Sequence, residues 1–404
     1  MNITGIVAEY NPLHKGHVYH IKKTRELTSA DGIVAVMSGN FVQRGIPAML
    51  DKWTRAKMAL ENGVDLVIEL PLLYSISSAE FFSFGAISLF DSLGIINNLS
   101  FGSESGNISS ILDISKVLLE EPITFKGYLK EYLKEGLPFH LARAKALSLY
   151  LEEKDKDCFE INNFLSTSNN ILAIEYCKNL LRINSTIIPF TIKREGNNYN
   201  SLEMTNSFSS ASSIRNFIKN NEILDKLNNQ VPLNVFNSIV NFKEKGYSFP
   251  LENEMLPFIK HKYFNGENGI ENLPDVSEGL HNRIYDALNK YNTLQDVIQG
   301  IKTKRYTYTR ISRILCQYFI GFDTIDTFSL RKESCPYARV LGFNKRGSEI
   351  LKVLKKKSSI PVYTKIPKEI NPTLYLDIKG TKCYSLLNKS CDPLGDFKNK
   401  PVII

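Results

Sequence analysis

No stretch of the 404-residue chain approaches the apolar length needed to span a bilayer, and no charged-then-apolar leader opens it. The expectation is a cytoplasmic protein with no membrane partner. Cysteine is sparse and scattered, at 158, 177, 316, 335, 383 and 391, with no C-x-x-C pair and no histidine at metal spacing. That pattern reads as reduced thiols and argues against a structural zinc, so no metal ligands are assigned. The chain lacks G-x-S-x-G and any Cys–His pair near a strand turn, which excludes the usual acyl-enzyme hydrolases. Neither G-x-x-x-x-G-K-[ST] nor G-x-G-x-x-G fits its phosphate-site candidate, and no K-M-S-K-S-like loop is present. Internal repeats and long low-complexity tracts are absent as well.

What is there is ordinary in bulk. Hydrophobic residues make up 43% and charged residues 23%, as in globular proteins, and the length allows two or more domains. A net charge of +8 favours a polyanionic partner without demanding one.

One stretch near the start organises the rest. Residues 3–8 are an apolar run that reads as a buried strand, broken by Asn11-Pro12 because proline cannot donate to a central ladder. His14-Lys15-Gly16-His17 then opens a helical pattern, with Val18 and Ile21 on one face and Lys22, Lys23 and Arg25 on others. Strand, tight loop and helix in that order aim free backbone N–H groups and a positive dipole end at an anion. Two imidazoles flanking a glycine suit a nucleotide triphosphate, and the C-terminal end of a first strand is where open α/β sheets bind ligands. H-x-G-H in this setting resembles the nucleotidyltransferase and class I synthetase superfamily, whose members attack the α-phosphate of a nucleotide.

Downstream, residues 32–39, 64–70 and 99–102 read as further strands, with helices over 52–62 and 78–93 between them. This alternation predicts a Rossmann-like parallel sheet with right-handed crossovers. Residues 110–151 are helical and more charged, 169–181 a further helix and 186–192 a further strand. A polar loop runs from 193 to about 206, and 209–215 offers hydroxyl caps before a helix. The Asn- and Lys-rich segment 220–250 reads as an inter-domain crossing. Beyond it the chain is mostly helical and basic, with strand-like composition over 360–384. The expected division is an α/β nucleotidyltransferase-like, ATP-binding catalytic domain over residues 1–225 and a mostly helical tRNA-binding domain over 226–404.

Each remaining candidate has a plainer structural alternative. Residues 38–45 mix small, amide and cationic groups around Arg44, or are a turn. Gly102 admits a ligand face, or makes a tight turn. Asn169 and Asn170 read a base or ribose, or cap a helix. Arg194 clamps a phosphate, or is a solvated cation. Ser212 to Arg215 presents hydroxyls, helix N–H groups and a cation. His20 lies one turn into the first helix and reads as a helix-face residue, while His140, His261 and His281 lack partners at useful spacing. Lys302, Lys304, Arg305, Arg310 and Arg313 cluster around Tyr306 and Tyr308, an arrangement suited to phosphates and unpaired bases, or to a solvated helix face.

With these stretches in hand, Gly5 to His17, Met37 to Gly45 and Gly63 to Pro71 resemble the bacterial tRNA(Met) cytidine acetate ligase family. Asn169-Asn170-Ile171-Leu172, Ser212-Ser213-Ile214-Arg215 and Lys304-Arg305-Tyr306 extend the match over nearly the whole chain. Leu13, Ser168 and Ala173 depart from the family's usual phenylalanine, proline and glycine, and none removes a polar group assigned to chemistry.

The resemblance implies an ATP-dependent ligase. ATP and acetate give acetyl-adenylate, and the acetyl group passes to N4 of the wobble cytidine of elongator tRNA(Met). It places ATP, with Mg²⁺, on Val7, Ala8, Glu9, Tyr10, Asn11, Pro12, Leu13, His14, Lys15, Gly16, His17, Val18, Tyr19, His20, Gly102, Asn169 and Arg194. His14 and His17 are the expected catalytic pair. The alternatives are a small-molecule adenylyltransferase, which leaves a basic second domain without a use, and a non-catalytic RNA-binding protein.

Overall fold

The computed structural model describes residues 1–154, 161–194, 211–219 and 225–404. Strand β1 (Ile3–Ala8) lies at the centre of a parallel sheet, between β2 (Gly32–Ser38) and β4 (Asn98–Ser103). β3 (Leu66–Leu70) lies outside β2 and β5 (Ile188–Lys193) outside β4, giving the order β3-β2-β1-β4-β5, all parallel. The order reverses between β1 and β4, so the crevice at their C-terminal ends is the ligand-binding position of this architecture.

The inner strands β2 and β3 are largely apolar because both of their faces are covered. Along β2, Val34 and Val36 join one core while Ile33, Ala35 and Met37 join the other. In β3, Leu66, Ile68 and Leu70 face the first core and Val67 the second, the period of two that a strand imposes. Helices α1 (Lys15–Thr28) and α2 (Lys52–Glu61) supply Ile21, Ala56, Met58 and Leu60 to the second core. Helices α3 (Ala79–Leu93) and α4 (Ser168–Arg182) supply Phe82, Phe90, Ala173 and Tyr176 to the first. A large aliphatic or aromatic side chain among these stabilises the fold by roughly 1.5–3 kcal/mol when fully buried. Gly5 is small for a reason: a Cβ there would lie 2.8 Å from the ring of Phe90.

The sheet does not end with the first half of the chain. Strand β6 (Ala338–Phe343) pairs antiparallel with β3, and β7 (Val362–Tyr363) and β8 (Val402–Ile403) both pair parallel with β6. A boundary at 225 therefore divides the sequence but not the sheet, and the mostly helical second segment contributes three strands. A buried ion quartet fastens this return. Lys52 Nζ lies 2.7 Å from Glu69 Oε1 on β3 and 2.8 Å from Asp396 Oδ1, and Arg339 on β6 lies 2.9 Å from the same Asp396 oxygen.

Two further readings of the second segment are corrected. Residues 220–250 are not a simple crossing: 220–224 lie outside the described residues, and Leu233–Glu244 is a helix. Its Val235 and Ile239 enter the second core, and Asn234 bonds Glu61 at 2.8 Å. The strand-like composition of 360–384 yields only β7, while Pro372–Leu387 is a helix opened by the Asn371 cap. Leu374, Ile378, Thr381, Tyr384 and Leu387 are its buried stripe, a helical spacing that outweighs β-branched and aromatic content.

Candidate active site

The loop from Glu9 to His14 is held from beneath by an arginine with no exposed surface. Arg55, on α2, donates to the carbonyls of Glu9 at 2.6 Å, Leu50 at 2.9 Å and Ser38 at 3.0 Å, and also to that of Gly39. One guanidinium thus fixes the chain leaving β1 and the chain leaving β2. Asn11 adds a second tie, accepting the Met49 N–H at 2.8 Å, and Arg215 donates to the Asn11 carbonyl at 2.7 Å. Tyr10 turns the loop through a left-handed conformation, φ 48°, and is itself buried.

His14 occupies the cap position of α1. The Lys15 N–H bonds the Gln230 carbonyl at 2.9 Å, and those of His17 and Val18 bond the His14 carbonyl. Among the described residues this leaves the Gly16 N–H without a partner, at the positive end of the helix. The His14 N–H donates to Nδ1 of His17 at 3.2 Å, so neutral His17 carries its proton on Nε2. The two imidazoles stack with centroids 3.7 Å apart, and Tyr10 meets His17 edge-on at 5.1 Å.

These groups line a cavity of about 190 Å³. Among the described residues Arg44, Lys193, Arg194 and Arg215 bring four cations to its wall and Glu9 a single carboxylate, whose Oε1 accepts the Gln43 N–H at 2.8 Å. Burial and the guanidinium groups of Arg194 and Arg215 hold His14 down to about 3. Burial and Arg194 hold His20 at about 4, and burial, His14, Arg194 and His20 keep His17 well below its ordinary value. All three rings are therefore neutral donors or acceptors at pH 7, in a site whose fixed charge is positive. Such a site takes a polyanion and holds it with oriented N–H groups.

The H-x-G-H loop, Gly102, Asn169 and Arg194 meet here as expected, although they lie up to 180 residues apart. Gly102 pairs with Ile192, and the Arg194 N–H continues the ladder to the Ser103 carbonyl at 2.9 Å. Asn169 lines the cavity, and its amide donates to Glu104 Oε1 at 2.6 Å. Asn170 is structural: its Oδ1 accepts the N–H groups of Glu104 and Ser105 at 3.0 and 3.1 Å. His20, expected to be a plain helix-face residue, also faces the cavity, and among the described residues its Nε2 has no partner.

The run from Val7 to His20 is not a continuous wall. Leu13 is buried in the second core, Val18 packs against it, Lys15 points to solvent, and Pro12 does not reach the cavity. Ala211, Ser212 and Arg215 line it from helix α5 (Ala211–Lys219), whereas residues 195–210, including Ser209 and the rest of the polar loop, lie outside the described residues. Sequence reasoning missed Arg55 and the capping role of Glu104. Both act through bonds spanning some 46 and 66 residues, for which no local spacing exists.

The basic stretch around Tyr306 divides into two. Lys302, Lys304 and Arg305 reach the surface, with Arg305 paired to Glu278. Arg310 donates to the Asp275 carbonyl at 2.7 Å, and Arg313 lies 3.6 Å from the Asp275 carboxylate, with only 13% of its side chain exposed. Tyr306 is buried, so its ring serves Arg310, 5.3 Å from the centroid, and not an unpaired base.

A reversal of strand order with a cationic, imidazole-lined cavity at its C-terminal edge defines a nucleotide-binding α/β protein of the nucleotidyltransferase class. A sequence model of the HIGH nucleotidyl transferase family matches residues 1–396. The chain is 60% identical over 403 residues to the tRNA(Met) cytidine acetate ligase of Clostridium tetani, and 55% identical over 404 residues to that of Clostridium novyi. Both matches span 100% of each chain. Thermotoga maritima TmcAL superposes with a TM-score of 0.90 at 32% identity in its apo form. The form bound with alpha-thio ATP gives 0.89 at 33%, and both comparisons cover 100% of each chain. The chain belongs to the tRNA(Met) cytidine acetate ligase family of HIGH nucleotidyl transferases.

Proposed function

We propose that this protein joins acetate to N4 of the wobble cytidine of elongator tRNA(Met) at the expense of ATP. The observation that carries the reading is the convergence of the Gly16 N–H, the imidazoles of His14, His17 and His20, and the guanidinium groups of Arg194 and Arg215 on one cavity beside β1. In the first step an acetate oxygen attacks the α-phosphorus and the bond to the β-phosphate bridge breaks, leaving acetyl-adenylate and pyrophosphate. Two anions must meet, so the donors around His17 act where charge develops, and removing one such donor typically slows a reaction by about 10²–10³.

In the second step the cytosine amine attacks the acetyl carbonyl, AMP departs and the amine loses its proton. That amine is a poor nucleophile, which is why the mixed anhydride is held close and away from water. The base leaves its stack to reach the cavity.

Mg²⁺ would arrive on the triphosphate oxygens. Among the described residues no group of three or more His, Cys, Asp or Glu could hold a metal, and Glu9 is the one carboxylate on the cavity wall. In this reading residues 1–225 hold ATP, and 226–404 take the RNA through Lys302, Lys304 and Arg305, with Arg310 and Arg313 bracing them. No helix of the described residues is long and apolar enough to cross a membrane, and the tRNA reading supports a cytoplasmic location.

The test is incubation with ATP, acetate and tRNA(Met), followed by nucleoside analysis. N4-acetylcytidine should appear only when all three are present. Adenylylation of a small molecule with no change in the tRNA would favour the adenylyltransferase alternative.

A further inference from the structure

The chain's positive charge is not where the Tyr306 cluster would place it. Residues 345–404 hold thirteen Lys and Arg against five Asp and Glu, so the net +8 of the whole chain is the net charge of its last sixty residues. The densest part is helix α6 (Lys345–Lys357). Lys345, Arg346, Lys352, Lys355, Lys356 and Lys357 are all exposed, and Arg346 is paired with Glu349, the helix's one acid, at 2.7 Å. Among the described residues the five lysines enter no ion pair. At 100° per residue Lys345, Lys352 and Lys356 fall in one row, about 16 Å from end to end.

The position of this helix is set by three contacts. A Cβ on Gly347 would strike the carbonyl of Asp65, just before β3, and Ile350 meets Gly32 at the start of β2. Val353 and Lys357 share a surface with Met1, Ile3 and Asn97 where β1 and β4 begin. Helix α6 therefore crosses the N-terminal edge of the sheet. The ATP cavity lies at the opposite edge, about 20 Å away along a six-residue strand.

Helix stability does not explain these cations. Lysines in the last turn suit the helix dipole, but Lys345 stands in the first turn, where a positive charge is unfavourable, and the helix's one acid, Glu349, is taken by Arg346. Lys352 and Lys356 repel each other one turn apart. Nor does the helix suit a membrane surface, since Ile350, Leu351 and Leu354 are buried and no apolar face is left to insert.

We propose that the Lys345–Lys352–Lys356 row is a second RNA-binding surface, gripping the sugar-phosphate backbone of the bound tRNA beyond its anticodon arm. The inference rests on the tRNA reading above. A row of point charges holds phosphates without reading sequence, so it adds affinity and orientation for a folded tRNA and nothing for a short hairpin.

The test is the triple variant K345Q/K352Q/K356Q, measured for binding to full-length tRNA(Met) and to its anticodon stem–loop across a salt series. The full-length tRNA should bind more weakly, with a salt slope shallower by about 3, one for each lysine that no longer neutralises a phosphate. Stem–loop binding and acetate-dependent pyrophosphate exchange should match wild type, which also shows that the variant is folded. Unchanged affinity and slope for full-length tRNA would overturn the proposal, as would equal losses on both RNAs. So would loss of binding to phosphatidylserine vesicles with tRNA binding intact. A wild-type protein that bound neither RNA would instead sink the functional reading, and this inference with it.

Discussion

A side chain added at Gly102 would place its Cβ 3.2 Å from Cγ of Arg194. The two residues face each other because β4 and β5 are neighbours, and the missing side chain lets the arginine lie across the strand toward the cavity. Gly102→Val should push Arg194 aside and raise the KM for ATP by about tenfold or more, the scale of one charged hydrogen bond. An unchanged KM would remove Arg194 from the phosphate site.

Lys52, Glu69, Arg339 and Asp396 form the other relationship on which the site depends, because they clamp the returning chain to β3. Asp396→Ala leaves two buried cations sharing one carboxylate and should cost about 3–5 kcal/mol of stability. Thermal or urea unfolding reads this directly. A shift under about 1 kcal/mol, the range of an exposed pair, would mean that the quartet does not hold the tail.

The stability of the protein should fall between about pH 6.5 and 5 for a reason located in the site. His14 and His20 titrate at about 3 and about 4 in the folded chain, against about 6.5 unfolded. Below 6.5 the unfolded chain therefore binds more protons, and stability is lost as pH falls. The variant H14Q/H20Q should lose less than wild type across that interval, measured by urea midpoints at about pH 7.5 and about pH 5.5. Parallel losses would place the sensitivity elsewhere.

In the Tyr306 region the two kinds of basic residue should separate. K302Q/K304Q/R305Q should weaken tRNA binding and leave stability nearly unchanged, since the Arg305–Glu278 pair is exposed. R313M should lower the unfolding temperature instead, by removing a partner of Asp275. If R313M lost tRNA binding at full stability, the division drawn here would be reversed.

The H-x-G-H loop is legible in the sequence because strand, turn and helix are contiguous and each leaves a local mark. Gly102, Asn169 and Arg194 are legible only as strand-end or helix-start residues, and family resemblance raises them. Nothing local marks Arg55, whose four carbonyl partners lie in three separate stretches. The return of β6 to the sheet is hidden likewise: its partner lies some 270 residues earlier, and its flanking strands are two residues long. Helix α6 has clear amphipathic spacing, with its apolar positions buried and its lysines exposed. In sequence alone such a run of lysines means only a solvated face, and its placement across the sheet edge is what suggests otherwise.

The central claim is that the Gly16 cradle makes an acyl-adenylate from acetate before any RNA is involved. The most direct measurement is exchange of labelled pyrophosphate into ATP, with acetate and without tRNA, in wild type and in His17→Ala. The account predicts acetate-dependent exchange in wild type and a rate about 10²–10³ lower in the variant. Exchange that ignored acetate, or a variant as fast as wild type, would contradict it.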